Sequence, residues 1–218
     1  MKNGVKIIFM VALVLILLVP INAFARNKPL YIAFKPGIYS PQSSDLEDFD
    51  TGFSGEIALG VRTNPFFAAE LGFGYFETEG EERFAGVIDG STFTERDKAD
   101  IGVFPITFTL KGILPYQKWE FFWLGGAGAF IVSGEIKATG VIDGTPFSIK
   151  LDDTETVLGS FLGGGLHYNI TPNLFIGIEA KYLWTSDVEL EDRILGVPIE
   201  AEFNMDGIIA SGVIGFRF

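Results

Sequence analysis

Eight segments of this chain alternate between two kinds of side chain, and the alternation is inverted relative to a soluble sheet. The last segment, Gly207–Phe218, shows it plainly. Ile208, Ala210, Gly212, Ile214, Phe216 and Phe218 fall on one side of an extended strand. Gly207, Ile209, Ser211, Val213, Gly215 and Arg217 fall on the other, because successive strand side chains point to opposite faces. One face is aliphatic and aromatic, and the other is small and carries a charge.

The same division recurs upstream. In Leu30–Tyr39, the residues Leu30, Ile32, Phe34 and Ile38 oppose Ala33, Lys35 and Gly37. In Gly52–Arg62, Phe53, Ile57, Leu59 and Val61 oppose Ser54, Glu56, Ala58 and Arg62. In Phe67–Glu77, Phe67, Ala69, Leu71, Phe73 and Tyr75 oppose Glu70, Gly72 and Gly74. In Ile101–Lys111, Phe104, Ile106, Phe108 and Leu110 oppose Thr107, Thr109 and Lys111, and Pro105 predicts a bulge or a poorly paired point. In Trp119–Ile131, Trp119, Phe121, Trp123, Ala127 and Ala129 oppose Glu120, Phe122, Gly126 and Gly128. In Val157–Asn169, Leu158, Leu162, Leu166 and Tyr168 oppose Gly163, Gly165, His167 and Asn169. In Leu174–Trp184, Ile176, Ile178, Ala180, Tyr182 and Trp184 oppose Gly177, Glu179 and Lys181.

Segments of ~10 residues with this alternation mark the strands of a transmembrane barrel. A soluble ligand-binding barrel turns its aromatics inward. Here the charges and glycines are the interior face and the aromatics the exterior. The connections support this. Thr63–Phe66, Gly112–Lys118 and Ile170–Asn173 are short and contain a proline, whereas Ser40–Thr51, Thr78–Asp100, Val132–Thr156 and Thr185–Asp206 are long and acidic. Outer-membrane barrels pair short periplasmic turns with long extracellular loops. Two aromatic girdles are expected, with Phe66, Phe67, Trp119, Phe121, Phe216 and Phe218 beside the short turns and Tyr75 and Trp184 at the other end. Gly86–Phe93 recurs almost unchanged as Gly140–Phe147, and Arg193–Ile199 is a weaker version. Asp-Gly between β-branched residues predicts two-residue hairpin tips, which extend strand pairs 3–4, 5–6 and 7–8 beyond the membrane.

Residues 1–25 read as a cleaved signal peptide. Lys2 and Lys6 precede the apolar run Ile7–Val19, Pro20 ends it, and Ala23 and Ala25 form the small-x-small cleavage site. Residues 26–218 then make one barrel domain. No second apolar run approaches the ~18 residues of a spanning-helix candidate, so any span must be built of strands. The chain has no cysteine and a formal charge of −12. The first excludes a disulfide-stapled module, and the second argues against nucleic acid as a partner.

The interior face carries Lys35, Glu56, Arg62, Glu70, Lys111, Glu120, His167, Glu179, Lys181 and Arg217. An eight-stranded barrel is just wide enough for side chains to fill, and buried charges must be paired. These ten are therefore expected to form a lumen charge network; a narrow selective pore or a proton path is the alternative. His167 is the one histidine, and no serine or cysteine nucleophile lies in its local stretch. No catalytic residue, cofactor or metal is assigned. The acidic runs 44–50, 77–82, 151–155 and 187–192 lack the twelve-residue calcium-loop pattern, and the sequence leaves open whether they bind divalent cations.

Phe67–Tyr75, Pro105–Lys111, Trp123–Ala129, Asn169–Leu174 and the terminal Phe218 resemble the small bacterial outer-membrane β-barrels, related to the barrels of OmpA and OmpX and more distantly OmpW. The resemblance spans roughly Leu30–Phe218. It implies an all-β fold, an eight-stranded antiparallel up-and-down transmembrane barrel in a Gram-negative outer membrane. It also implies that Ile214, Phe216 and Phe218 are the signal read by the outer-membrane assembly machinery, so deleting Phe218 is expected to impair insertion. The expected partners are that machinery and outer-membrane lipid, and a monomer is expected. The expected role is structural or surface-interacting without an enzymatic site. The alternatives are OmpW-like passage of small hydrophobic molecules and, from another class, a lipid-modifying enzyme.

Overall fold

A computed structural model describes residues 30–218 apart from 89–90, 143–144 and 195–196, and does not describe the side chains of 82–97, 136–138, 140–152 and 189–202. The expected leader and its cleavage site lie outside these residues. The described elements are β1 (Leu30–Pro41), β2 (Gly52–Asn64), β3 (Phe67–Ile88), β4 (Ser91–Tyr116), β5 (Trp119–Ile142), β6 (Thr145–Asn169), β7 (Leu174–Thr185), β8 (Val188–Ile194), β9 (Val197–Phe203) and β10 (Gly207–Arg217). Among the described residues no helix is long and apolar enough to cross a membrane.

Eight of these strands close on themselves in the order β1-β10-β7-β6-β5-β4-β3-β2, every neighbour antiparallel. The seam joins β1 to β10, with Ile32 opposite Phe216 and Phe34 opposite Ile214. Closure removes the unpaired edges that an open sheet leaves. Strand parity then sorts the wall. Leu30, Ile32, Phe34, Phe53, Ile57, Leu59, Phe73, Phe104, Leu110, Trp123, Leu162, Ile178 and Phe216 are exposed outside, and Lys35, Glu70, Lys111 and Glu179 are buried inside.

The strands run further than the alternation predicts. β3, β4, β5 and β6 are 22, 26, 24 and 25 residues long, and their ladders continue through the segments 78–100 and 132–156. Ile88 pairs with Ser91 and Ile142 with Thr145, so each of the two pairs flanks a connection of two residues. Thr92, Phe93, Thr94, Ile149 and Thr154 suit a strand. Charges at both odd and even positions hide the period there. β4 also continues through Ile113–Tyr116, where a loop was expected, and turns at Gln117 with a left-handed φ of 57°.

The third hairpin departs from expectation. Instead of extending β7 and β10, β8 and β9 form a separate two-stranded sheet. Side chains end the barrel strands at this point: the Thr185 N–H donates to an Asp206 carboxylate oxygen, and the Met205 N–H donates to the Thr185 hydroxyl. The Ser186 N–H turns away to the Leu158 carbonyl. Pro105 interrupts the β3–β4 ladder without shifting it: pairing stops at Phe73–Ile106 and resumes at Phe76–Val103. Proline has no N–H to give.

Candidate functional site

The lumen is built in layers. In the middle, strand parity and register bring three lysines and three glutamates together. Lys35 on β1 pairs across the ladder with Glu56 on β2, and its Nζ lies 2.7 Å from Glu56, 2.9 Å from Glu70 and 3.2 Å from Glu179. Lys111 on β4 lies 2.9 Å from Glu70 and 2.7 Å from Glu179. Lys181 on β7 lies 2.7 Å from Glu56. The Tyr31 hydroxyl donates to Glu70 at 2.7 Å. Three cations thus meet three anions, with Lys35, Glu70 and Lys111 each 2% exposed. Buried charges cost several kcal/mol each unless paired and hydrogen-bonded, and here each lysine donates to at least one carboxylate.

A second cluster sits at the short-turn end. Glu120 accepts from Arg62 at 2.7 Å and from Arg217 at 2.9 Å, one guanidinium on each carboxylate oxygen. Arg62 also donates to the Pro65 carbonyl, and Arg217 to the Asn169 side-chain oxygen. Between the clusters lies an aromatic layer. His167 stands between Phe122 and Phe175, at ring distances of 4.5 and 4.7 Å, and Arg217 lies 4.5 Å over Phe175. The ten residues expected to share one network therefore divide. Six form the central layer and three the short-turn cluster, while among the described residues His167 joins no ion pair and its Nε2 has no hydrogen-bond partner.

Toward the long-loop end the interior is apolar, which corrects the expectation that it holds charges and glycines. Tyr39, Phe76, Val103, Phe130, Phe161, Leu183 and Ile209 are buried there. Tyr39 stacks on Phe76 at 4.5 Å and donates to the Met205 carbonyl. Met205, Leu46 and Val188 belong to the same buried cluster. Glycines on neighbouring strands make room for the rings of this layer and of the aromatic layer. A Cβ at Gly126 would lie 2.4 Å from the Phe161 ring, one at Gly165 2.6 Å from Phe122, and one at Gly215 2.0 Å from Phe175.

Two narrow cavities of about 20 Å³ each lie among the described residues of the interior, one beside Lys35, Glu56, Thr107 and Pro105, the other beside Arg62, Glu120, His167 and Arg217. Each has room for about one water molecule. Tyr31 and Asn169 are the polar partners that reasoning from charge alone misses. Tyr31 lies four residues before Lys35, on the same face, so strand parity was the available signal.

A closed antiparallel barrel, apolar outside and charged within, defines the class of bacterial outer-membrane β-barrel proteins. A family model, the outer membrane protein beta-barrel domain, matches residues 11–203. The chain belongs to that family and is a protein of the bacterial outer membrane. The family match stops short of β10, the strand that closes the wall. Among solved structures, a major outer membrane protein from Thermus thermophilus is similar at 15% identity and a TM-score of 0.51, over 87% of this chain and 98% of that one. Pseudomonas aeruginosa OprG is similar at 13% identity and a TM-score of 0.50, over 88% and 97%. Neisserial surface protein A aligns over 87% and 97% at 16% identity and a TM-score of 0.46. No curated protein matches the sequence.

Proposed function

We propose that the protein spans the outer membrane as a plugged monomeric barrel whose work is done at its outer surface, without an enzymatic site. The filled lumen carries this reading: an ion-paired layer, an aromatic layer and an apolar layer occupy the barrel interior, and the two pockets between them, among the described residues, measure about 20 Å³ each. The exposed apolar exterior meets lipid, with Phe216 and Phe218 at the periplasmic interface. The long segments then project outward, and they hold 23 of the 28 acidic residues but six of the 16 basic ones. Their charge favours a cationic partner over an anionic one. Purified protein in planar bilayers should show no steady conductance, and a sustained open level would overturn the plug.

A second reading is passage of small hydrophobic molecules through the side of the barrel. The interrupted β3–β4 ladder at Pro105 favours it, because one of the two cavities reaches the wall beside Gly74 and Pro105. Pro105→Thr supplies the missing N–H. If the wall is the exit, uptake of an apolar probe by cells carrying this variant should fall below wild type; equal uptake removes the reading.

A further inference from the structure

The charges of the lumen do not balance, and the imbalance has a location. The ion pairs of the described lumen contain five cations, Lys35, Arg62, Lys111, Lys181 and Arg217, and four anions, Glu56, Glu70, Glu120 and Glu179. The central layer is matched three to three. The excess positive charge therefore belongs to the short-turn cluster, where two guanidiniums share one carboxylate. Both oxygens of Glu120 are already engaged. Arg62 and Arg217 are mostly shielded, with side-chain exposures of 19% and 13%. Two guanidiniums on one carboxylate, only partly screened by solvent, leave a local positive potential.

A cavity lies at the same spot. It is lined by Arg62, Arg217, Lys111, Glu120 and His167, among others, and measures about 20 Å³. His167 is buried at 6% exposure, and its Nε2 has no hydrogen-bond partner among the described residues. A neutral imidazole can present its N–H on this nitrogen, and each guanidinium has five N–H groups to share. The lining is therefore rich in donors and carries excess positive charge.

We propose that this cavity binds one small monovalent anion of halide size, held by Arg62, Arg217 and the His167 Nε2–H. The alternatives fit less well. A cation would add to the excess charge. Sulfate, phosphate or an organic acid exceeds the space, since about 10–15 Å³ already marks one water. A water would satisfy His167 and leave the net charge uncancelled. The partial exposure of both arginines gives the anion a route from the short-turn mouth.

The direct test is anomalous diffraction from crystals of the full chain grown in sodium bromide. The expected result is a bromide peak inside the barrel, within hydrogen-bonding distance of Arg62, Arg217 and His167. Ordered side chains around a site that refines as water, without anomalous signal, would overturn the proposal. A second measurement needs no crystal. Thermal unfolding of the wild type should have a higher midpoint in sodium chloride than in sodium gluconate at equal ionic strength, because gluconate is too large for the cavity. Arg62→Gln removes the excess charge from a partly exposed position, and the difference between the salts should shrink toward zero. An equal difference in both proteins would assign the salt effect elsewhere and reject the site.

Discussion

The middle of the lumen and its long-loop half are lined by the same strands and fill the same tube, yet they are held together in opposite ways. Lys35 and Tyr39 are four residues apart on β1. Lys35 sits among three carboxylates, and Tyr39 among Phe76, Met205 and Ile209. The central layer is a stoichiometric object, in which removing one member strands its partners in a buried interior. The apolar layer is a volume to be filled, and swaps that conserve volume are tolerated. The barrel thus combines a layer that demands particular partners with one that demands only bulk.

The largest expected effect comes from breaking the stoichiometric layer. Lys35→Met removes the amine that bridges Glu56, Glu70 and Glu179 and should cost roughly 3–5 kcal/mol. Urea titration in lipid vesicles, read by heat-modifiable gel mobility, gives the number. A cost below about 1 kcal/mol would mean that the layer is hydrated and no different in kind from its neighbour.

Next comes the fit of ring to wall. Gly126→Ala places a methyl 2.4 Å from the Phe161 ring and 2.3 Å from the Phe108 carbonyl. It should destabilise by about 1–3 kcal/mol. Adding Phe161→Leu relieves the ring contact but not the one to backbone, so a double-mutant cycle should recover part of the loss. Phe130→Leu, which changes only bulk, should cost about 1 kcal/mol in the same titration. Lys98→Gln sits at the small end of the scale. Its ion pair with Glu81 is 3.7 Å long and the Lys98 side chain is 46% exposed. The change should stay within ~0.5 kcal/mol, and salt should abolish what there is.

Much of this contrast could be read from strand parity, and part of it could not. Period-two alternation placed Lys35, Glu56, Glu70, Lys111, Glu179 and Lys181 on the interior face. The inverted polarity of the two faces fitted a closed barrel. Parity says which side a residue faces, but not which lysine meets which glutamate. That depends on register across strands far apart in the chain, as with Lys35 on β1 and Glu179 on β7. The apolar layer escaped for another reason. Where Tyr75 faces out and Phe76 in, or Ile131 out and Val132 in, both faces are apolar and the alternation vanishes from the sequence. His167 carried no distinguishing signal, because its isolation comes from Phe122 and Phe175 on two other strands.

The seam has a consequence for the order in which the molecule can be completed. Tyr31 pairs with Arg217, almost the full described length of the chain away. Contacts this distant in sequence form late, since the loop-closing entropy must be met before they contribute. The central layer is bound to the same timetable. A chain built only through β6 holds Lys35, Lys111, Glu56 and Glu70 but lacks Glu179 and Lys181, which arrive on β7. Lys111 then has one carboxylate where it finally has two, and Lys35 two where it finally has three. Such a chain is also an open sheet with two unsealed edges. The central layer gains its last members with β7 and the wall its seal with β10, so both wait for the carboxyl-terminal strands.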